Sequence, residues 1–160
     1  MDSHKLWVRV DNRLVHGQVI EAWLPYADAD NIIVGNDEVA RDELQQEIIR
    51  LAIPNGIAIH FSSITRLPDT LDGICPDDQC DAIFLLFASC HDAKKAYESG
   101  LHFTVLNIGN IHYAPGKYQL CDHVALSKED LKCLRFFKSY GISLDFRCVP
   151  NRQVHVKTIW

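Results

Sequence analysis

The sequence predicts an α/β fold: one doubly wound domain over residues 1–160, with a mainly parallel β-sheet and helices on both faces. Three observations carry this. Short apolar runs alternate with helix-like segments along the chain, the pattern of a parallel sheet wrapped by helices. The run Ala82-Ile83-Phe84-Leu85-Leu86-Phe87-Ala88 is continuously apolar, as in a strand buried on both faces at the middle of such a sheet. The chain has 160 residues, 48% hydrophobic and 23% charged, which is one domain's worth. Folding at this size buries roughly 70% of the unfolded surface, so neither metal nor disulfide is needed to supply a core.

Each element follows in order. The first strand is expected over residues 6–10, followed by the polar loop Asp11-Asn12-Arg13. A helix-like stretch covers 17–24, and Pro25, which lacks a helical donor, is expected to stop it. Ile32-Ile33-Val34 reads as the second strand. Over 37–52 the spacing is helical, with Val39, Leu44, Ile48 and Leu51 near one face, and Pro54-Asn55-Gly56 ends that helix. Residues 57–61 are the third strand. A short helix is expected around 64–71 and a turn at Pro76-Asp77-Asp78. Residues 81–87 are the strongest strand. Ser89 with Asp92 reads as a capping box for a helix running to Ser99 and stopped by Gly100. Strand 104–108 comes next. Ser127 with Asp130 opens an amphipathic helix through Tyr140, ended by Gly141, and residues 142–149 form the last strand.

Composition narrows the function. The net charge is −5, and the 16 Lys and Arg are scattered, which argues against broad nucleic-acid binding. A small anionic ligand needs only one local basic pocket. No run approaches the ~20 apolar residues that span a bilayer, and the polar start Met1-Asp2-Ser3-His4-Lys5 is not a signal peptide. The expectation is a cytoplasmic protein with no direct membrane insertion. The cysteines at 75, 80, 90, 121, 133 and 148 form no C-x-x-C pair and no zinc-finger spacing. They are expected to be mostly buried apolar residues in a reducing compartment. No metal and no cofactor is expected. A G-x-G-x-x-G fingerprint, a Walker P-loop, a G-x-S-x-G elbow and an H-E-x-x-H helix are all missing.

In open α/β sheets ligands bind beyond the carboxyl ends of the strands, so the loops after strands carry the chemistry. The first is Asp11-Asn12-Arg13-Leu14-Val15-His16-Gly17-Gln18. It sets an acid, a guanidinium and an imidazole within six positions, then a glycine, then a helix. Arg13 can grip phosphate oxygens with forked, charge-assisted hydrogen bonds. A helix starting near Gly17 offers free amides to the same anion. His16 is the nucleophile of the group, and its unperturbed pKa of about 6.5 leaves a neutral fraction with a lone pair at cytosolic pH. The spacing alone reaches an anion site at the end of the first strand. A histidine that merely caps the helix is the competing reading.

Residues 8–19, Val-Arg-Val-Asp-Asn-Arg-Leu-Val-His-Gly-Gln-Val, closely resemble the signature of the mannose/fructose/sorbose-family IIB component of the bacterial phosphoenolpyruvate-dependent sugar phosphotransferase system (PTS), roughly R-[IV]-D-[DN]-R-L-[IV]-H-G-Q-V. Residues 32–40, Leu85-Leu86-Phe87, Asn107-Ile108-Gly109-Asn110-Ile111-His112, Gly116-Lys117 and Arg147-Cys148-Val149-Pro150 are similar to further elements of that family. The resemblance covers nearly the whole chain.

The resemblance implies a phosphocarrier. His16 would accept a phosphoryl group from a phosphohistidine of a IIA component and pass it to a sugar held by the membrane IIC/IID permease. Arg13 would contact the phosphoryl oxygens, Asp11 would order the loop, and Gly17 would let the backbone come close. Lys117 would be a second cation. Ala88 stands where relatives often carry Thr, so Ser89 is the hydroxyl expected to compensate. A single Arg and a set of amides suffice for metal-free phosphoryl transfer, which rests on positioning and charge stabilisation. Two other readings stay open at this level: a regulatory phosphoprotein uncoupled from transport, and a nucleotide- or metabolite-binding α/β domain.

Overall fold

The computed structural model describes residues 5–77 and 79–157; Asp78, expected in a turn, and His4 lie outside them. The apolar runs become strands β1 (Leu6–Asp11), β2 (Ala29–Gly35), β3 (Ala58–Ser62), β4 (Ala82–Phe87), β5 (Val105–Asn110) and β8 (Ser143–Asp145). They form one six-stranded sheet in the order β3-β2-β4-β1-β5-β8, every pair parallel. β4, continuously apolar, lies inside the sheet between β2 and β1, as expected.

The sheet divides the core in two. One face carries Val8, Val10, Ile33, Leu85 and Ile108 against helices α3 (Leu67–Ile74), α4 (Cys90–Glu98) and α5 (Lys128–Ser139). The other carries Ile32, Val34, Phe84 and Leu86 against Trp23, Leu24 and Ala27 of the first helical segment. Helices therefore cover both faces, as the alternating pattern requires. The Ser127 box forms in full: its hydroxyl accepts from the Asp130 amide at 3.0 Å while the Asp130 carboxylate accepts from the Ser127 amide at 2.9 Å. Ser89 Oγ accepts from the Asp92 amide at 3.1 Å and so starts α4. Gly100 and Gly141 end their helices at φ +106° and +76°, the left-handed conformation glycine adopts without strain.

Several expectations are corrected. Pro25 does not stop the first helix. The chain is helical from Gly17, wound as a π-helix over Val19–Trp23, and passes into α1 (Leu24–Ala27). Pro25 sits in the first turn of α1, where its missing N–H costs no helical bond. The helix expected over 37–52 splits into a 3-10 turn, Val39–Arg41, and α2 (Glu43–Leu51), capped by Asp42. Val39 is buried, but Leu44, Ile48 and Leu51 are 72%, 59% and 88% exposed; Ile49 and Ile53 turn to the sheet instead. The last strand is only Ser143–Asp145, because the chain bends away over Arg147–Pro150. A hairpin of β6 (Tyr118–Cys121) and β7 (Val124–Leu126) forms a separate two-stranded sheet that the sequence reading missed.

The cysteine expectation also changes. Cys75 and Cys80 form a disulfide, since the turn after Pro76 brings their Cα atoms to 5.2 Å, within bridging reach. Cys90, Cys133 and Cys148 are buried thiols as expected, and burial pushes all three up in pKa.

Candidate active site

β1 ends at the carboxyl edge of the sheet, between β4 and β5. The loop that follows is tied tightly. The Asn12 amide donates to the Asn110 carbonyl at 3.0 Å, the Leu14 amide to the Asp11 carbonyl at 2.9 Å, and the Arg13 amide to Asp11 Oδ1 at 3.0 Å. Leu14 is held at φ +54°, a region that costs a non-glycine residue of order 1 kcal/mol or more. Its buried side chain packs with Val19 and Trp23, which offsets that strain. The His16 carbonyl accepts from the Val19 and Ile20 amides at 3.0 and 3.1 Å, so His16 stands at the start of the helix. The first helical amides there have no intrahelical acceptor and carry the positive end of the dipole.

The side chains converge on one carboxylate. Asp11 Oδ2 lies 2.7 Å from His16 Nε2, accepts from Asn110 Nδ2 at 2.9 Å, and accepts from Arg9 Nη2 and Nε at 3.0 and 3.1 Å. Burial opposes ionisation of Asp11. The hydrogen bonds from His16 and Asn110, the Arg9 charge and the Arg13 amide outweigh it and hold the carboxyl below its ordinary range. An ionised carboxylate only accepts, so Nε2 of His16 carries the proton in the Asp11 bond. In the neutral ring Nδ1 then keeps the lone pair. That Nδ1 is buried and, among the described residues, has no hydrogen-bond partner. Buried polar atoms are nearly always paired, so an orphan nitrogen on a polar ring calls for an explanation.

Arg9 is the residue the sequence reading overlooked. On β1, Val8 and Val10 face one core and Arg9 and Asp11 the other; all four are buried. A fully buried guanidinium needs partners for its donors. Arg9 finds them in Asp11, in Asn107 Oδ1 and in the Arg147 carbonyl, and lies 5.2 Å from the Trp23 ring centroid. It also needs space. A Cβ at position 109 would fall 1.9 Å from Arg9 Cζ, so only glycine fits there. The segment Asn107-Ile108-Gly109-Asn110 thus supports the β1 loop: Asn107 binds Arg9, Gly109 admits it, and Asn110 holds Asp11. Asn110 Nδ2 also lies 3.3 Å from Gln18 Oε1, which accepts from Cys148 Sγ at the same distance. The signal for this group was the charged residue at an interior strand position, together with the Asn-x-Gly-Asn spacing.

The other expected site residues are less closely joined. The Arg13 side chain is exposed, and among the described residues no carboxylate pairs with it. Gly17 is exposed, and a Cβ there would meet nothing within 4 Å, so no internal crowding requires glycine. Ser89 follows β4, whose Phe87 is in register with Val10, which sets it at the same sheet edge; its hydroxyl caps α4 and makes no bond to His16. Lys117 Nζ donates to the His112 carbonyl at 3.1 Å, and the His112 ring bonds Asn12 at 2.7 Å, so Lys117 joins the site only through its neighbours. Asp37 serves structure, accepting from the Ile64 amide and from Lys95. Among the described residues no cluster of three His, Cys, Asp or Glu could hold a metal ion.

Known proteins place this arrangement. Residues 6–158 match the family model for the PTS system sorbose subfamily IIB component. The sorbose-specific EIIB component of Klebsiella pneumoniae is 35% identical over 143 residues, covering 89% of this chain and 86% of its own. The N-acetylgalactosamine-specific phosphotransferase enzyme IIB component 1 of Escherichia coli K12 is 33% identical over 149 residues, 92% of each chain. The crystal structure of the IIBSor domain of the K. pneumoniae sorbose permease superposes with a TM-score of 0.84 at 32% identity, covering 94% of this chain and 92% of that one. The E. coli N-acetylgalactosamine-specific IIB component 1 gives a TM-score of 0.85, also at 32% identity, over 94% and 96%. The doubly wound sheet is shared with these proteins, and this chain belongs to the sorbose-subfamily IIB components of the phosphotransferase system.

Proposed function

We propose that the chain is a single phosphocarrier unit, a protein-phosphohistidine–sugar phosphotransferase. His16 takes a phosphoryl group from the phosphohistidine of a IIA component and passes it to a sugar held by a membrane IIC/IID permease. The protein works in the cytoplasm, peripheral to the inner membrane through those partners. Among the described residues no helix is long and apolar enough to cross a membrane.

The buried, unpartnered Nδ1 of His16 carries this reading. Its lone pair attacks the phosphorus of the donor phosphohistidine, and the donor's N–P bond breaks as the new one forms. The ring gains positive charge while Nε2 keeps its proton. Asp11, 2.7 Å away and ionised, stabilises that charge. The protonated ring is then a good leaving group, so the phosphoryl group keeps its transfer potential. A sugar hydroxyl attacks next; the N–P bond breaks, its electrons return to Nδ1, and the hydroxyl proton leaves to water. Arg9 acts through Asp11 and is a positioning residue.

Because Nδ1 is buried, the loop yields when the donor docks. Arg13 and Gly17 are its exposed residues. We assign Arg13 and the Gly17 amide to the phosphoryl oxygens, with Ser89 and Lys117 as donors from neighbouring loops that engage only in the complex. The test is incubation with phosphoenolpyruvate, the general phosphotransferase proteins and a IIA donor, read by mass spectrometry of the intact chain. One acid-labile phosphate is expected on the parent and none on His16→Ala. Equal labelling of the two overturns the assignment.

A further inference from the structure

The carboxyl edge of the sheet holds a second polar hollow that the His16 mechanism does not use. It opens at the end of β3, between the 3-10 turns Val39–Arg41 and Ile64–Arg66, and has a volume of about 530 Å³. In the sheet order β3 stands three strands from β1. At about 4.8 Å per strand that is roughly 14 Å from the phosphoryl-accepting loop.

Its lining has a definite chemistry. Arg41 and Arg66 both face the hollow. Arg41 Nε donates to the Asp37 carbonyl at 3.1 Å, and among the described residues neither guanidinium is ion-paired with a carboxylate. Ser63 starts the second 3-10 turn, and its hydroxyl makes no capping bond. The Thr70 hydroxyl donates to the Arg66 carbonyl at 3.0 Å and lies 2.9 Å from the Ser62 hydroxyl, which leaves its second lone pair as an acceptor. The Asp69 carboxylate and the Phe61 ring complete the wall. Two guanidinium forks and a free hydroxyl suit a phosphate dianion. A carboxylate beside them disfavours a bare anion but accepts from hydroxyl donors placed next to the phosphate. The volume lies within the about 300–1,000 Å³ of small-molecule sites and is far larger than a phosphate ion requires.

We propose that this hollow binds a phosphorylated monosaccharide, with Arg41, Arg66 and Ser63 on the phosphate and Asp69 and Thr70 on sugar hydroxyls. The ligand is of the class the phosphotransfer reaction produces, so occupancy reports accumulated product at the edge where the donor docks. The link to product rests on the phosphocarrier reading; the binding itself does not.

The test is calorimetric titration of the full chain with a panel of aldose, ketose and amino-sugar phosphates, with the unphosphorylated sugars and inorganic phosphate as controls. At least one sugar phosphate is expected to bind, with Kd raised tenfold or more in Arg41→Ala and in Arg66→Ala and unchanged in His16→Ala. Equally tight binding of inorganic phosphate overturns the sugar assignment. Binding lost in His16→Ala but kept in the arginine variants places the ligand at the phosphoryl loop and overturns the second site, as does binding by no member of the panel. Loss of His16 labelling with the titration intact refutes the phosphocarrier reading alone.

Discussion

Replacing Arg9 by Met removes the guanidinium while keeping an apolar stem of similar length in the core. Arg9 and Asp11 both have fully buried side chains, and two of the arginine's hydrogen bonds go to Asp11 Oδ2. Removing one partner of a buried ion pair costs about 3–5 kcal/mol, because the other charge stays buried. At roughly 2–4 °C per kcal/mol for a chain of this size, Tm at pH 7 should fall by about 6–20 °C. The pH dependence has a definite sign. In the parent the Asp11 carboxyl is held below its ordinary range, so its contribution to stability is complete above the unfolded value of about 3.9 and is lost only as pH falls through the lower folded value. Without Arg9 one of the groups that favour the carboxylate is lost, so the folded pKa of Asp11 rises from its value in the parent while the His16 and Asn110 hydrogen bonds remain. The variant is then most deficient at high pH, and its gap to the parent narrows as pH falls through the folded pKa of the variant. Thermal melts of both proteins between pH 7 and pH 3 should show a narrowing gap, and Asp11→Asn on the Arg9→Met background should recover part of the loss. A Tm at pH 7 within 2 °C of the parent, or a gap constant with pH, refutes this account of the buried pair.

Other substitutions separate the support of the site from its surface. Gly109→Ala would place a Cβ 1.9 Å from Arg9 Cζ, so it should destabilise by about 1–3 kcal/mol in thermal melts and slow His16 phosphorylation. Gly17→Ala meets no atom within 4 Å and should leave the melt unchanged while slowing transfer from the donor in the labelling assay. Ser127→Ala removes a complete capping box, costing about 1 kcal/mol in denaturant titration with no change in labelling. Leu44→Ser with Ile48→Ser alters side chains 72% and 59% exposed, and stability should stay within about 0.5 kcal/mol by the same titration.

The parts of the fold legible in the sequence were those where local chemistry and burial agree. β4 is apolar on both faces because it lies inside the sheet, and Ser127 with Asp130 marks a helix start that needs no tertiary help. Errors arose where tertiary context decides. The face of α2 with helical spacing is left in solvent, and Ile49 and Ile53 pack instead. Pro25 is harmless because the helix changes its winding just ahead of it. The strands of the hairpin β6–β7 have only four and three residues, too short a pattern for a strand reading. At the site, Asp11 and His16 were legible because one loop carries both. Arg9 was not, since its partners Asn107 and Arg147 lie far along the chain and meet it only in the sheet. Ser89 and Lys117 came from the resemblance, and neither bonds His16 here.

The proposal that His16 Nδ1 carries the phosphoryl group is tested most directly by identifying the atom bonded to phosphorus. Histidine labelled with ¹⁵N, phosphorylated through the donor chain and observed by ¹⁵N–³¹P coupling, identifies the bonded atom directly. The hydrogen bond between His16 Nε2 and Asp11 predicts phosphorus on Nδ1, with Nε2 still protonated. Phosphorus on Nε2, or on a histidine other than His16, contradicts it.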